Sequence, residues 1–230
     1  MINLFHKLLK SLLPNSTYRI LKSLRIWNTK YSYFRSIRSF DSSIQNSPVP
    51  WFTYPATEYL MQLTLLEKTL LEFGSGNSTI FWSQRVKKVI SVEHNKTWFE
   101  KMSNARELVG VEYLLKTEGS SYEDVLDDYI ESAQILVVDG IRREILVSKL
   151  LDYVRRGSAT KLELFILDNS DRYPELLRSI RETNEYVEVD FHGFGPINPY
   201  SWTTTVFLKR NISLEYINNG DDVKSLGSIE

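Results

Sequence analysis

Short runs of apolar and β-branched residues alternate along the chain with longer segments whose apolar residues recur every three or four positions. Between about residue 55 and residue 210, the short runs predict seven strands. They are TLLEF (69–73), KVISVE (88–93), VEYLL (111–115), ILVVD (135–139), LELFILD (162–168), YVEVDFHGF (186–194) and TTTVFLKR (203–210). Most of these runs are apolar throughout, which is typical of strands covered on both faces of a sheet.

The segments between the strands predict helices, over residues 78–86, 95–109, 121–133, 143–156 and 173–183. Ser78 is the expected hydroxyl cap of the first helix, and Ser121 with the acids after it is the expected start of the third. No helix fits between the last two strands, so we expect these to pair antiparallel. The pattern predicts an α/β fold: a doubly wound, mostly parallel seven-stranded sheet with an antiparallel edge strand.

The first 40 residues differ from the rest in charge. They contain eight Lys and Arg residues and no acid, and because the whole chain has a net charge of −1, the remainder carries −9. Their Leu and Ile spacing predicts a basic amphipathic helical extension over residues 1–47, followed by an α/β domain over 48–212 and a tail over 213–230. The extension is expected to serve as a lid or homodimer arm, or to contact an anionic membrane through residues 1–40. A nucleic-acid partner is not expected, because the main domain is acidic.

The composition indicates in which cellular compartment the protein is expected. The chain has no cysteine, which excludes disulfides and thiolate metal sites and fits a reducing compartment. No run approaches the roughly 18 apolar residues of a membrane span, and the N-terminus lacks the uninterrupted apolar stretch of a signal peptide. We therefore expect a cytoplasmic protein, either free or peripheral at the membrane.

The stretch LLEFGSGNST (70–79) places two glycines directly after the first strand. A P-loop requires a lysine that is absent here, and a dinucleotide fingerprint requires a third glycine where Thr79 stands. With its leading acid, the stretch Glu72-Phe73-Gly74-Ser75-Gly76-Asn77-Ser78 resembles the first motif of the class I S-adenosylmethionine-dependent methyltransferases. The resemblance extends over about residues 55–210 and includes the antiparallel strand.

Glu93 ends the second strand, where a carboxylate accepts both hydroxyls of a ribose, in a dinucleotide or in S-adenosylmethionine. The resemblance implies that the loop after the third strand reaches the adenine of the methyl donor. The residues predicted to bind the donor are Glu72, Phe73, Gly74, Ser75, Gly76, Ser78, Glu93, His94, Glu118, Gly119, Ser120 and Asp139.

Asp139 follows the fourth strand, and Asp168 and Asn169 follow the fifth. Their oxygen atoms suit Mg²⁺ or a similar hard cation, and the placement resembles the divalent-metal-dependent O-methyltransferases. That resemblance implies a metal that binds a substrate hydroxyl and lowers its pKa. In the alternative, Arg142 or Arg143 neutralises Asp139 in place of a metal, or Asp139 binds the amino group of the methyl donor.

Methyl transfer to oxygen requires removal of a proton. His192 is the candidate base, Asp168 is the second choice, and Asp139 completes the catalytic candidates. The sequence thus predicts an S-adenosylmethionine-dependent O-methyltransferase that acts on a hydroxyl of a small molecule or sugar. One alternative is an NAD(P)-dependent oxidoreductase, although the chain lacks a Tyr-x-x-x-Lys pair. The other is a non-catalytic protein that keeps the fold as a scaffold.

Overall fold

The computed structural model describes residues 12–104, 108, 110–117, 120–159, 161–217 and 224–228. The basic N-terminal segment forms α1 (Asn15–Thr29) and α2 (Tyr33–Ser39), then a hairpin of β1 (Ser43–Ile44) and β2 (Ser47–Pro48). Helix α3 (Tyr54–Met61) leads into the main sheet. No helix among the described residues is long and apolar enough to cross a membrane.

Seven strands form one sheet, as the sequence predicts. They are β3 (Thr69–Phe73), β4 (Lys88–Glu93), β5 (Val111–Leu115), β6 (Ile135–Val138), β7 (Leu164–Asp168), β8 (Tyr186–Gly193) and β9 (Trp202–Lys209). Their order is β5-β4-β3-β6-β7-β9-β8. The first five in this order are parallel, and β9 runs antiparallel to both β7 and β8. The reversed strand therefore lies second from the edge, and β8 forms the edge itself.

The helices between the strands are α4 (Asn77–Ser83), α5 (Lys96–Ser103), α6 (Ser120–Glu123), α7 (Val125–Tyr129), α8 (Arg143–Arg155) and α9 (Pro174–Glu182). Two predictions need correction. Ser78 does not cap α4, because the helix begins one residue earlier and the Gly76 N–H is bound at 3.1 Å by the hydroxyl of Thr79. The single helix predicted over residues 121–133 is two short helices, α6 and α7.

Each face of the sheet packs against its own hydrophobic cluster. Alternate residues of β3 divide between them: Leu71 and Phe73 belong to one cluster and Leu70 to the other, as the two-residue period of a strand requires. Strand β3 lies at the centre of the parallel strands and is buried on both sides. The loop that follows it therefore starts from a rigid base.

The N-terminal segment packs against the main domain. The ring of Trp27 lies 5.1 Å from that of Tyr33, 5.9 Å from that of Tyr54 and 5.8 Å from that of Phe194, measured between centroids. Further along, the side-chain amide of Asn77, at the start of α4, donates to the carboxylate of Asp41 at 2.8 Å. The segment thus reaches the loop that follows β3.

Candidate functional site

The carboxyl ends of β3 and β6 meet at the point where the strand order reverses. Strand β3 pairs with β4 on one side and with β6 on the other. Loops from these strand ends leave toward opposite faces of the sheet, and a crevice of this kind is where α/β proteins bind ligands. The glycine loop of residues 74–76 lies at this point.

The two glycines of the loop meet different surroundings. Gly74 has a φ of +98°, and a Cβ on it would lie 2.6 Å from the backbone nitrogen of Gly140. Only glycine fits there, because the loops after β3 and β6 touch backbone to backbone. Gly76 has an extended backbone, with a φ of 169°, and its Cβ would meet only the ring of Trp98, at 3.9 Å. The fold therefore does not require the second glycine, and its open side leaves space for a ligand.

Glu93 lies at the end of β4 with its carboxylate beside this loop. One oxygen accepts hydrogen bonds from the backbone N–H of His94 at 2.9 Å and of Asn95 at 2.7 Å. The other accepts from the hydroxyl of Ser75 at 2.7 Å and from its N–H at 3.2 Å. These four hydrogen bonds fix the orientation of the carboxylate, which is nearly buried beside the loop.

Glu72 is fully buried beneath the loop rather than exposed to the crevice. One carboxylate oxygen accepts from the hydroxyls of Thr79 at 2.6 Å and Ser91 at 2.7 Å, and the other has no partner among the described residues. Burial raises the pKa of this carboxyl to about 7, although the hydroxyls of Ser78, Thr79 and Ser91 oppose the shift. Glu72 anchors the loop from below.

Sequence reasoning missed three aromatic residues at the crevice. Trp98 donates its indole N–H to the carbonyl of Ser75 at 2.9 Å, and Tyr113 shares a hydrogen bond of 2.7 Å with the Ser75 hydroxyl. Tyr122 is fully buried, and its hydroxyl would lie 2.2 Å from a Cβ on Gly140. That hydroxyl has no partner among the described residues. No local motif marks these residues, because they reach the loop from α5, β5 and α6.

Arg143 binds the loops that follow β6 and β7. Its guanidinium donates to the carbonyl of Asp139 at 2.6 Å, the carboxylate of Asp139 at 2.9 Å and the carbonyl of Gly140 at 2.9 Å. It also donates to the carbonyl of Asp168 and, at 3.2 Å, to the side-chain oxygen of Asn169. One nearly buried cation thus joins the three residues predicted as metal ligands.

This arrangement does not fit the predicted Mg²⁺ site. The guanidinium of Arg143 occupies the side-chain oxygens of Asp139 and Asn169. It binds only the backbone carbonyl of Asp168, whose carboxylate accepts from Trp202 and Thr204 instead. Within the described residues, no group of three His, Asp or Glu side chains is arranged to hold a metal ion. The geometry matches the alternative given from the sequence, in which an arginine, here Arg143, neutralises Asp139 in place of a metal.

Asp168 points into the fold rather than toward the crevice. One of its oxygens accepts from the indole of Trp202 at 3.0 Å and from the hydroxyl of Thr204 at 2.5 Å. Burial raises the pKa of this carboxyl, and the nearby Asp139 raises it further. Burial also raises the pKa of Asp139, against the effect of Arg143. Asp139 keeps a partly exposed side chain, so of the two acids it is the one that faces the crevice.

The other predicted site residues that the structure describes are spread along the carboxyl ends of the strands. His192 lies on the edge strand β8 with its Nδ1 2.8 Å from the Thr203 hydroxyl, two strands away from β7. His94 lies beside Glu93, 3.1 Å from its carboxylate. Ser120 begins α6. Glu118 and Gly119 lie outside the described residues.

The residues at the crevice fit S-adenosylmethionine. Glu93 lies at the strand end where a carboxylate would accept a ribose, Gly76 leaves an open approach, and the hydroxyl of Tyr122 has no partner among the described residues. A separate cavity of about 190 Å³ lies at the opposite edge of the sheet, near Leu65, Glu163 and Leu214. It is smaller than the roughly 300–1,000 Å³ of typical ligand pockets.

Comparisons with known proteins add fold relatives only. No protein-family model and no curated protein sequence matches the chain. An rRNA methylase from Streptococcus thermophilus is 14% identical, with a TM-score of 0.46 over 64% of this chain and 89% of that one. A candidate tRNA (m1A22) methyltransferase of Streptococcus pneumoniae, with S-adenosyl-L-methionine bound, is 16% identical, with a TM-score of 0.44 over 70% and 72% of the two chains. The precorrin 8w decarboxylase of Methanobacterium thermoautotrophicum is 16% identical, with a TM-score of 0.47 over 72% and 95%.

These findings correct the predicted partners. Two of the three structures are named for RNA methylation, so a fold of this type gives no ground for excluding nucleic acid. The exclusion was wrong because it used the charge summed over the whole domain, which does not describe charge at the site. None of the three is described as a metal-dependent O-methyltransferase, and the small-molecule acceptor has no support. Similarity at this level concerns the fold and carries no argument about the acceptor.

Proposed function

We propose that the protein is an S-adenosylmethionine-dependent methyltransferase. The observation that carries the proposal is the Glu93 carboxylate beside the open side of Gly76, at the point where the strand order reverses. A carboxylate in this position accepts both hydroxyls of a ribose. The glycine lets the chain approach the ligand closely. When bound, S-adenosylmethionine supplies an electrophilic methyl group, whose transfer leaves S-adenosylhomocysteine.

Some of the site residues support the glycine loop, and others are placed to contact a bound ligand. Glu72 holds the glycine loop from below through Thr79 and Ser91. Asp139 faces the crevice; burial raises its pKa to about 6, and the guanidinium of Arg143 opposes that shift. Asp139 is therefore the group placed to orient the ammonium of the donor or to accept a proton from the acceptor. Asp168 is engaged by Trp202 and Thr204, which supports a positioning role for it.

Calorimetric titration with S-adenosylmethionine, S-adenosylhomocysteine and NAD⁺ tests the proposal. We expect micromolar binding of both sulfur nucleotides and none of NAD⁺. Glu93→Ala should weaken binding at least about 100-fold, because each hydrogen bond to a charged group contributes roughly 1.5–3 kcal/mol. Glu112→Ala is the matched control, since this acid pairs with Lys88 on the outer strands. Tight binding of NAD⁺ would contradict the proposal. Wild-type affinity of the Glu93→Ala variant for the sulfur nucleotides would contradict it as well.

A further inference from the structure

Two exposed aromatic rings lie on segments at the carboxyl edge of the sheet. Phe40 is 72% exposed, and its ring stands edge-on to that of Trp51 with centroids 5.4 Å apart. Tyr200 is 47% exposed and packs against Trp202, 6.1 Å away. Because the indole of Trp202 binds Asp168 at the end of β7, Tyr200 also belongs to the carboxyl edge of the sheet.

Hydrogen bonds fix the Phe40–Trp51 pair over the same edge. Asp41, next to Phe40, binds Asn77 at the end of the glycine loop. On the other side, the backbone N–H of Thr53 donates to the hydroxyl of Thr204 at 3.0 Å, and that hydroxyl binds Asp168. The pair thus lies between the glycine loop and the end of β7, where an acceptor must enter.

Three arginines and two acids lie on the segments that carry these rings or adjoin them. Among the described residues, the side chains of the exposed Arg38 and Arg172 have no ion-pair or hydrogen-bond partner. Arg35 contacts only the neutral amide of Asn46. The two acids beside them, Asp41 and Asp171, accept hydrogen bonds from neutral donors, the amide of Asn77 and the backbone N–H of Thr203 at 3.0 Å, and keep their charges. The entrance therefore carries three cations against two acids, a small positive excess beside its flat rings.

We propose that the acceptor is a base of single-stranded nucleic acid, with bases stacking on Phe40 and Tyr200 and phosphates near Arg38 and Arg172. Exposed aromatic faces combined with cations are how proteins bind single strands. A duplex buries the atoms to be methylated within its stack, so a single strand or a flipped base is required. A neutral sugar would use the rings but leave the arginines without a role. The inference rests on the proposed methyltransferase function.

Binding is tested by fluorescence anisotropy with a labelled 12-nucleotide RNA, the DNA of the same sequence, the corresponding duplexes and free nucleotide. We expect a single strand to bind more tightly than its duplex and than the nucleotide. Phe40→Ala should weaken binding about 5- to 100-fold, the usual effect of removing one stacking ring. Arg38→Glu should weaken it and reduce its dependence on salt. Leu66→Ala and Arg156→Glu, exposed residues away from this edge, are the matched controls.

Methyl transfer from radiolabelled S-adenosylmethionine to the bound strand is the second measurement, with calorimetry on the donor run in parallel. Donor binding without single-strand binding would overturn this inference and leave the proposed function standing. Single-strand binding without donor binding would overturn both, since the strand would then be no acceptor. Binding to phosphatidylglycerol vesicles that depends on Phe40, with no binding to RNA or DNA, would also overturn it and assign the surface to membranes.

Discussion

Gly74 and Gly76 have different roles in the same loop: the fold requires Gly74, whereas Gly76 leaves space for a ligand to approach. Gly74 has a positive φ and touches the backbone of Gly140, whereas Gly76 has an extended backbone and space beside it. We expect Gly74→Ala to lower the free energy of unfolding by about 2 kcal/mol or more, since both strain and a backbone clash oppose it. Gly76→Ala should change stability by less than about 1 kcal/mol and still weaken donor binding at least tenfold.

Urea denaturation and donor calorimetry on both variants check this prediction. Gly110→Ala is the matched control for strain alone, because Gly110 also has a positive φ, +76°, and nothing lies within 4 Å of its Cβ position. Wild-type donor affinity in Gly76→Ala would show that the second glycine does not face the donor.

Glu72 makes the stability of the protein depend on pH. Burial raises its pKa from 4.5 to about 7, so between these values the folded chain holds a proton that the unfolded chain has lost. Its contribution to stability is complete below the lower value and is lost as pH rises through the higher one. Glu72→Gln does not titrate, so its stability should fall less between pH 5 and pH 8. At pH 8 it should be more stable than wild type, by on the order of 2–3 kcal/mol.

Denaturant midpoints measured across this pH range for wild type, Glu72→Gln and the exposed control Glu175→Gln give the comparison. Parallel pH profiles for wild type and Glu72→Gln would show that the buried carboxyl does not cause the dependence.

At the scale of elements, the first residue of α8 connects the ends of two neighbouring strands. Arg143 binds the backbone carbonyl of Asp139 after β6 and that of Asp168 at the end of β7, as well as the side chains of Asp139 and Asn169. Arg143→Met leaves these acceptors unpaired in a nearly buried place, which costs about 3–5 kcal/mol. Arg143→Lys keeps the charge but lacks the planar fork, so an intermediate loss is expected.

Chemical denaturation gives the magnitude, and hydrogen exchange should show the loosening concentrated in residues 139–143 and 168–172. Arg155→Met, an exposed arginine on the same helix, is the control. A loss as small as that of the control would mean that Arg143 does not hold the two loops together.

The same arginine leads to a prediction about metals. Because a fixed guanidinium already neutralises Asp139 and contacts Asn169, donor binding should have the same affinity with Mg²⁺ and with EDTA. Calorimetry under both conditions decides the point. A tenfold gain in affinity with Mg²⁺ would require the loops after β6 and β7 to rearrange around a metal.

At the scale of the whole molecule, the basic N-terminal segment packs against the main domain through side-chain contacts. Trp27 packs among rings from both, and Ser36 accepts a hydrogen bond of 2.9 Å from the backbone of Ile197. Deleting residues 1–47 should lower the free energy of unfolding by about 2 kcal/mol or more, since each aromatic pair contributes about 0.5–1.5 kcal/mol beyond its buried area. This tests the division proposed between residues 47 and 48.

Thermal unfolding measures the effect, with deletion of residues 1–11 as the matched control. Equal midpoints for the shorter chain and the full chain would support a main domain that begins at residue 48 and is stable by itself.

The fold could be predicted because its strands are short apolar runs and its glycine loop follows the first of them. The sequence placed Glu93 at a strand end, and the strand order then fixed its position beside the loop. The environment of the acids was harder to predict. Asp139 and Asn169 suit a metal or an arginine equally in sequence, and only the direction of the Arg143 side chain distinguishes the two. No sequence pattern marked Tyr122 as a site residue, because Gly140, which lies beside it in space, follows a different strand.

The indole of Trp98 over the glycine loop also has an optical consequence. Its N–H bond to the Ser75 carbonyl and its exposure of 37% couple the fluorescence of this ring to whatever enters the crevice. Entry of a ligand beside Gly76 displaces solvent from the ring, and the emission of Trp98 should shift toward the blue or be quenched. Comparison of wild type with Trp98→Phe in a stopped-flow instrument would separate this signal from that of the other four tryptophans of the chain.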